Sequence, residues 1–177
     1  MPSSIVVTVI GPDRPGLVRL LADRGAAFGA SWVESRMASL AGQFAGIVRF
    51  EVAPENAEPL AAALGELQAL GLRAVIATGR TAPAAECRVL TLELIGQDHP
   101  GIIHDISRAL ADCAISIDEL NTEVISGAHS GGALFQAKAL LRVPVTLPTD
   151  ELRRVLEALA NELMVDIALG DAQPQTP

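Results

Sequence analysis

GPDRPGLV at Gly11–Val18 returns later in the chain as GQDHPGII at Gly96–Ile103. In each copy an apolar run ends at a glycine, an aspartate follows two residues on, and Pro-Gly leads into a helical pattern. The copies lie 85 residues apart, and the same offset pairs Ile10 with Ile95, Ala26 with Ala111, Ser31 with Ser116 and Glu34 with Glu119 without a gap. A register kept over roughly two dozen residues identifies a tandem repeat of one fold.

The pattern around each copy reads as βαββαβ. Ser4–Ile10 is a nearly continuous β-branched run, and Pro15 suits the first turn of a helix, where a missing N–H costs nothing. That helix is expected to carry Leu17, Leu21 and Phe28 on one side and to end near Gly29. Trp32–Leu40 and Gln43–Val52 are strand-like, joined through the tight hairpin signal Ala41-Gly42. Pro54 and Glu55 open a second helix with Leu60, Leu64, Leu67 and Leu70 on one face; it stops at Gly71, and Leu72–Thr78 is a strand. The second copy repeats the order: strand Val89–Ile95, a helical stripe of Ile102, Ile106, Ala109 and Cys113, a hairpin of Ile115–Ile125 and Gly132–Val143, and a helix capped by Thr149 that runs to Leu163. Met164–Leu169 closes the second sheet. The fold class is therefore α+β: two ferredoxin-like domains, each a four-stranded antiparallel sheet with both helices on one face. The boundaries fall at 1–80 for the first domain, 81–87 for a linker, 88–170 for the second domain and 171–177 for a polar, disordered tail. The first strand is apolar at both parities, Val7 and Val9 as well as Val6 and Ile10. The outer sheet face is thus expected to be covered by the sister domain or by another subunit, as in a homodimer.

Charge separates the halves. Residues 1–80 carry seven Arg and seven Asp or Glu, whereas the remainder carries six Lys or Arg against fourteen acids, which is the whole net charge of −8. Nucleic acid is bound largely through phosphate neutralisation by Lys and Arg. With no basic stripe, direct nucleic-acid binding is not expected. Cys87 and Cys113 form neither a metal-ligand spacing nor a disulfide framework. The start of the chain has no secretory pattern, and no apolar run approaches the roughly 20 residues that span a bilayer. These features point to a cytoplasmic protein, without membrane contact, cofactor or bound metal.

The chemistry of the repeated bend follows from its place between strand and helix. The first N–H groups of a helix have no partner within it, and with the helix dipole they suit an anionic group. Gly16 and Gly101 let a ligand approach the backbone, and Asp13 and Asp98 stand where an ammonium could be met. Carboxylate on amides and ammonium on a carboxylate together describe a free α-amino acid. The plainer reading is that each aspartate caps its helix.

The twin βαββαβ pattern with its D-R-P-G and D-H-P-G turns resembles the ACT-domain family of small amino-acid-binding regulatory modules. The stretch SWVESRMASL (Ser31–Leu40) is similar to the corresponding strand of the tandem glycine cleavage system transcriptional repressors of that family. The resemblance implies a non-enzymatic sensor that acts on transcription through a partner transcription activator, with glycine or another small amino acid as ligand. It places ligand sites between the strand-to-helix turn of one domain and the early second strand of a neighbouring one. Carried over, the candidates are Asp13, Arg14, Pro15, Gly16 and Leu17 with Ser31 and Trp32, and Asp98, His99, Pro100, Gly101 and Ile102 with Ser116 and Ile117. Relatives often carry Asn where this chain has Ser31 and Ser116; Ser has a shorter reach and one donor.

Among the other candidates, His99 reads as a solvent-facing turn residue, His129 as part of a solvated loop and Cys113 as packed. Two further functions fit the pattern: a ligand-free docking or dimerisation module whose acidic second domain meets a protein, and a regulatory subunit of an amino-acid or folate enzyme. An active site of the chain's own is not expected, since no nucleophile–base pair, metal set or phosphate loop is present.

Overall fold

A computed structural model of the chain describes residues 1–78, 86–126 and 132–171. The chain divides into two compact units, Met1–Ala82 and Pro83–Pro177. The first contains β1 (Ser3–Pro12), α1 (Leu17–Ala27), β2 (Ser31–Leu40), β3 (Gln43–Val52), α2 (Pro54–Gly65), a 3-10 turn (Glu66–Leu70) and β4 (Arg73–Thr78). The second contains β5 (Cys87–Gln97), α3 (Ile102–Asp112), β6 (Ser116–Ser126), β7 (Ala133–Pro144), α4 (Thr149–Leu163) and β8 (Val165–Asp171). The sheets are antiparallel with orders β2-β3-β1-β4 and β6-β7-β5-β8, the α+β arrangement expected from the repeat.

Period-two alternation puts one set of side chains under the helices. In the first unit Ile5, Val7 and Val9 of β1 and Phe44, Val48 and Phe50 of β3 meet Leu17 and Leu21 of α1 and Leu60 and Leu64 of α2, all buried. Each such side chain contributes about 1.5–3 kcal/mol by leaving water. The second core has the same plan, with Leu90, Leu92 and Leu94 under Ile102, Ile106, Leu110 and Leu156. Where Gly25 faces Phe50, a Cβ would lie 2.6 Å from the ring, so the glycine lets helix and sheet close up.

Several expectations are corrected. Helix α1 begins at Leu17, so Pro15 lies in the turn before it, and α2 passes into a 3-10 turn after Gly65, leaving Leu70 exposed. Thr149 is the first helical residue of α4 and makes no cap, because Pro148 occupies the capping position without a side-chain donor or acceptor. The buried stripe of α3 is Ile102, Ile106 and Leu110, with Ala109 and Cys113 half-buried beside it. Cys87 belongs to β5 rather than to a linker, and β8 extends through Gly170 and Asp171 because both pair with β5. Residues 81–85 of the proposed linker, residues 127–131 with His129, and the tail beyond Asp171 lie outside the described residues. On the outer face of the first sheet, Ile10, Ile47 and Val75 are 40%, 50% and 63% exposed within the single chain.

Candidate ligand-binding turns

The two bends are built alike. The N–H of Asp13 donates to the Gly42 carbonyl, and that of Asp98 donates to the Ala133 carbonyl, each at 2.9 Å, which pins the bend to the hairpin of its own sheet. Three residues on, Gly16 (φ 93°) and Gly101 (φ 102°) take the left-handed conformation that side chains resist and serve as helix N-caps. Their carbonyls accept from Leu20 and Asp105, the first bonds of each helix. No capping side chain covers the preceding amides of Leu17–Arg19 or Ile102–His104. The plainer reading of the aspartates is thereby set aside: Asp13 and Asp98 are exposed, and their carboxylates cap nothing and form no hydrogen bond or ion pair among the described residues.

Between each Asp and its glycine the side chains have structural work. Nη2 of Arg14 donates to the Leu70 carbonyl at 2.6 Å, and Nε2 of His99 donates to the Leu163 carbonyl at 3.2 Å. Arg14 and His99 are equivalent in the repeat, and each reaches the carbonyl just before a left-handed residue: Leu70, which ends the 3-10 turn before Gly71 (φ 80°), or Leu163, which ends α4 before Met164 (φ 52°). The half-buried His99 is therefore a helix-end clasp, not the solvent-facing residue expected. Gly11 and Gly96 make the same junction close: an added Cβ would stand 2.4 Å from the Gly71 carbonyl oxygen or from Cγ1 of Val165. Pro15 and Pro100 are exposed, while Leu17 and Ile102 point into the cores.

The second-strand candidates lie at the far end of each sheet. Ser31 pairs with Glu51 and through it with Ser4, whereas the bend follows Pro12, eight strand residues or about 27 Å away. Ser116 stands likewise, through Arg142, against Val89. Neither unit brings its own Ser31 or Ser116 to its own bend. Trp32 is half-buried, its ring edge-on to Phe50 at 5.3 Å, and Ile117 packs on the second core. The bends also differ in charge. A Cβ at Gly101 would sit 3.7 Å from Oδ2 of Asp105, whereas Leu20 holds that place in α1, whose first turn has no acid. Sequence reasoning missed Asp105, although the 85-residue offset pairs it with Leu20.

Residues 3–76 match the ACT domain family. The match lies within the first unit, and the second unit repeats its element order and sheet topology. A protein of unknown function from Galdieria sulphuraria is similar over 98% of this chain and 100% of its own, at 28% identity and a TM-score of 0.88. A candidate glycine cleavage system transcriptional repressor shares the fold over 98% of this chain and 99% of its own, with a TM-score of 0.72 at 19% identity. Among curated proteins none matches the sequence significantly. Among the described residues no helix is long and apolar enough to cross a membrane.

Proposed function

We propose that the chain is a cytoplasmic amino-acid sensor that regulates transcription through a protein partner, the transcription activator expected from its resemblance to the glycine cleavage repressors. The observation that carries this reading is the uncapped row of amides at Leu17–Arg19, behind a left-handed glycine and beside an aspartate whose carboxylate has no partner among the described residues. A carboxylate fits the amides and the helix dipole, and an ammonium fits Asp13. The repeated bend offers the same groups at Asp98 and Ile102–His104, but the Asp105 carboxylate there competes with an incoming anion. The first bend is the stronger site. Glycine, with no side chain to place, is the first ligand to test.

A ligand that binds only the folded state raises stability by RT ln(1 + [L]/Kd), about 2.7 kcal/mol at a hundredfold excess over Kd. Thermal melting of the full chain with each common amino acid at millimolar concentration is expected to single out glycine or another small amino acid. An unchanged melting temperature across the whole set would remove the sensing function.

A further inference from the structure

We infer that the furrow between α3 and α4 is the face of the second unit that receives a protein partner, and that the partner presents a basic amphipathic helix. This deepens the proposed function and rests on it for the existence of a partner, though not for the amino acid. The floor of the furrow is Ala109 of α3 with Val155, Ala158 and Leu159 of α4. Ala158 is exposed and Ala109 and Val155 are half-buried within the unit, so the floor lies open. The two helices run antiparallel, since His99 just before α3 meets Leu163 at the end of α4. Asp105 and Glu162 therefore stand at one end of the floor. Asp112 stands at the other, where Glu151, one helical turn before Val155, continues the α4 stripe.

Charge and spacing identify the occupant. Among the described residues Arg108 is the one Lys or Arg on the lining, and it lies 4.0 Å from Asp105. His104, on the crest of α3, sits 2.9 Å from the same carboxylate and leaves the furrow negative even when protonated. On the crest of α4, Arg154 donates to the Asp150 carbonyl, and the two charges offset each other; Arg153 lines the opposite flank of that helix with Glu157. Carboxylates at both ends of an apolar floor complement a basic face. Asp105 and Asp112 are seven residues apart, about 10.5 Å along the axis, and Glu151 and Glu162 are eleven apart, about 16.5 Å. A partner helix with Lys or Arg at i, i+7 and i+11 beside an apolar stripe matches both spans. The small side chains of Ala109 and Ala158 let such a helix come close. The first unit has no such furrow wall: the 85-residue offset puts Leu20 for Asp105, Arg24 for Ala109 and Ala27 for Asp112. Both carboxylates are gone there, and a guanidinium stands in place of the open floor.

The test is titration calorimetry of the full chain with a synthetic alanine- and leucine-based peptide of about 18 residues, long enough to form a helix. Its lysines stand at i, i+7 and i+11 beside the leucine stripe, and an isomer of the same composition scatters them around the helix. The patterned peptide is expected to bind in the micromolar range at physiological ionic strength, and the isomer at least about tenfold more weakly. Asp112→Lys and Glu162→Lys should each weaken binding at least about fivefold, because an attraction becomes a repulsion. Ala109→Arg, which installs the residue of the first unit, should do the same by filling the floor. Glu123→Lys, the same change of charge at an exposed position of β6, should stay within about twofold of wild type. Circular dichroism verifies that each variant is folded; if Ala109→Arg is not, the two charge reversals at exposed positions decide. No binding of the patterned peptide at several hundred micromolar overturns the inference, including where the first unit or a second copy already fills the furrow. Equal affinity for the isomer, or an equal loss in Glu123→Lys, also overturns it. The amino-acid reading is separable: Asp112→Lys should keep the wild-type melting shift with glycine, and peptide binding without any such shift would remove sensing and leave docking in place.

Discussion

Replacing Gly11 with alanine tests how tightly the bend is joined to the end of the second helix. The added Cβ would stand 2.4 Å from the Gly71 carbonyl oxygen and 3.3 Å from Cα and Cδ1 of Leu72. An ordinary C···O approach is about 3.3 Å, so the contact is roughly 0.9 Å too short, and the obstructing atom is backbone. Overpacking of this kind costs about 1–3 kcal/mol, and a rigid obstacle puts Gly11→Ala near the upper end. The lost freedom of the unfolded chain returns about 0.5–1 kcal/mol, leaving a net destabilisation of about 2 kcal/mol. For a domain of this size that lowers the melting temperature by about 8–16 °C. Trp32 is the only tryptophan and packs against Phe50 in the first core, so its emission during thermal unfolding of the full chain reports the affected unit. Gly65→Ala is the matched control. It has ordinary helical angles and nothing within 4 Å of the new Cβ, so it should raise the midpoint by a few degrees. If Gly11→Ala melts with wild type, the bend and the helix end are not the single packed junction described here.

Three further outcomes follow from the same junctions. Met164 is 83% exposed and left-handed where its counterpart is Gly71, so Met164→Gly should stabilise the second unit by about 1 kcal/mol in chemical denaturation. Arg14→Ala and His99→Ala each remove a hydrogen bond to a helix-terminal carbonyl; each should cost about 1 kcal/mol in the same experiment, while a ligand contact alone would cost the empty protein nothing. Asp105→Leu copies Leu20 onto the second bend and should tighten amino-acid binding there about two- to fivefold, the weight of one carboxylate at a helix start, measured by calorimetry on the full chain. Equal affinity in the variant would show that this carboxylate does not oppose the ligand.

The fold was legible because local signals agreed with one another. The β-branched run of β1, the strand-like stretches on either side of the turn at Ala41-Gly42 and the leucines of α2 all point to the same βαββαβ order, and the 85-residue offset carries the reading from one half to the other. What escaped the sequence was decided by contacts between distant segments. That Arg14 and His99 clasp Leu70 and Leu163 depends on where a second helix ends, 56 and 64 residues away. That Gly16 and Gly101, rather than the aspartates, cap the helices depends on the hairpin holding Asp13 and Asp98 one turn short of the helix. Apolar residues at both parities of β1 announced a surface to be covered, but periodicity alone does not name its occupant. The candidate site was legible only as two separate pieces, since Ser31 and Ser116 lie at the opposite sheet end from their own bends.

The most direct measurement is an amide nitrogen–proton correlation spectrum of the full chain during titration with glycine. Binding at the bend should move the resonances of Gly16–Arg19 first and furthest and those of Gly101–His104 at higher concentration, and Asp13→Ala should abolish the first set. Saturating shifts elsewhere in the chain, or none at these amides, would contradict a zwitterion seated on the mouth of the helix.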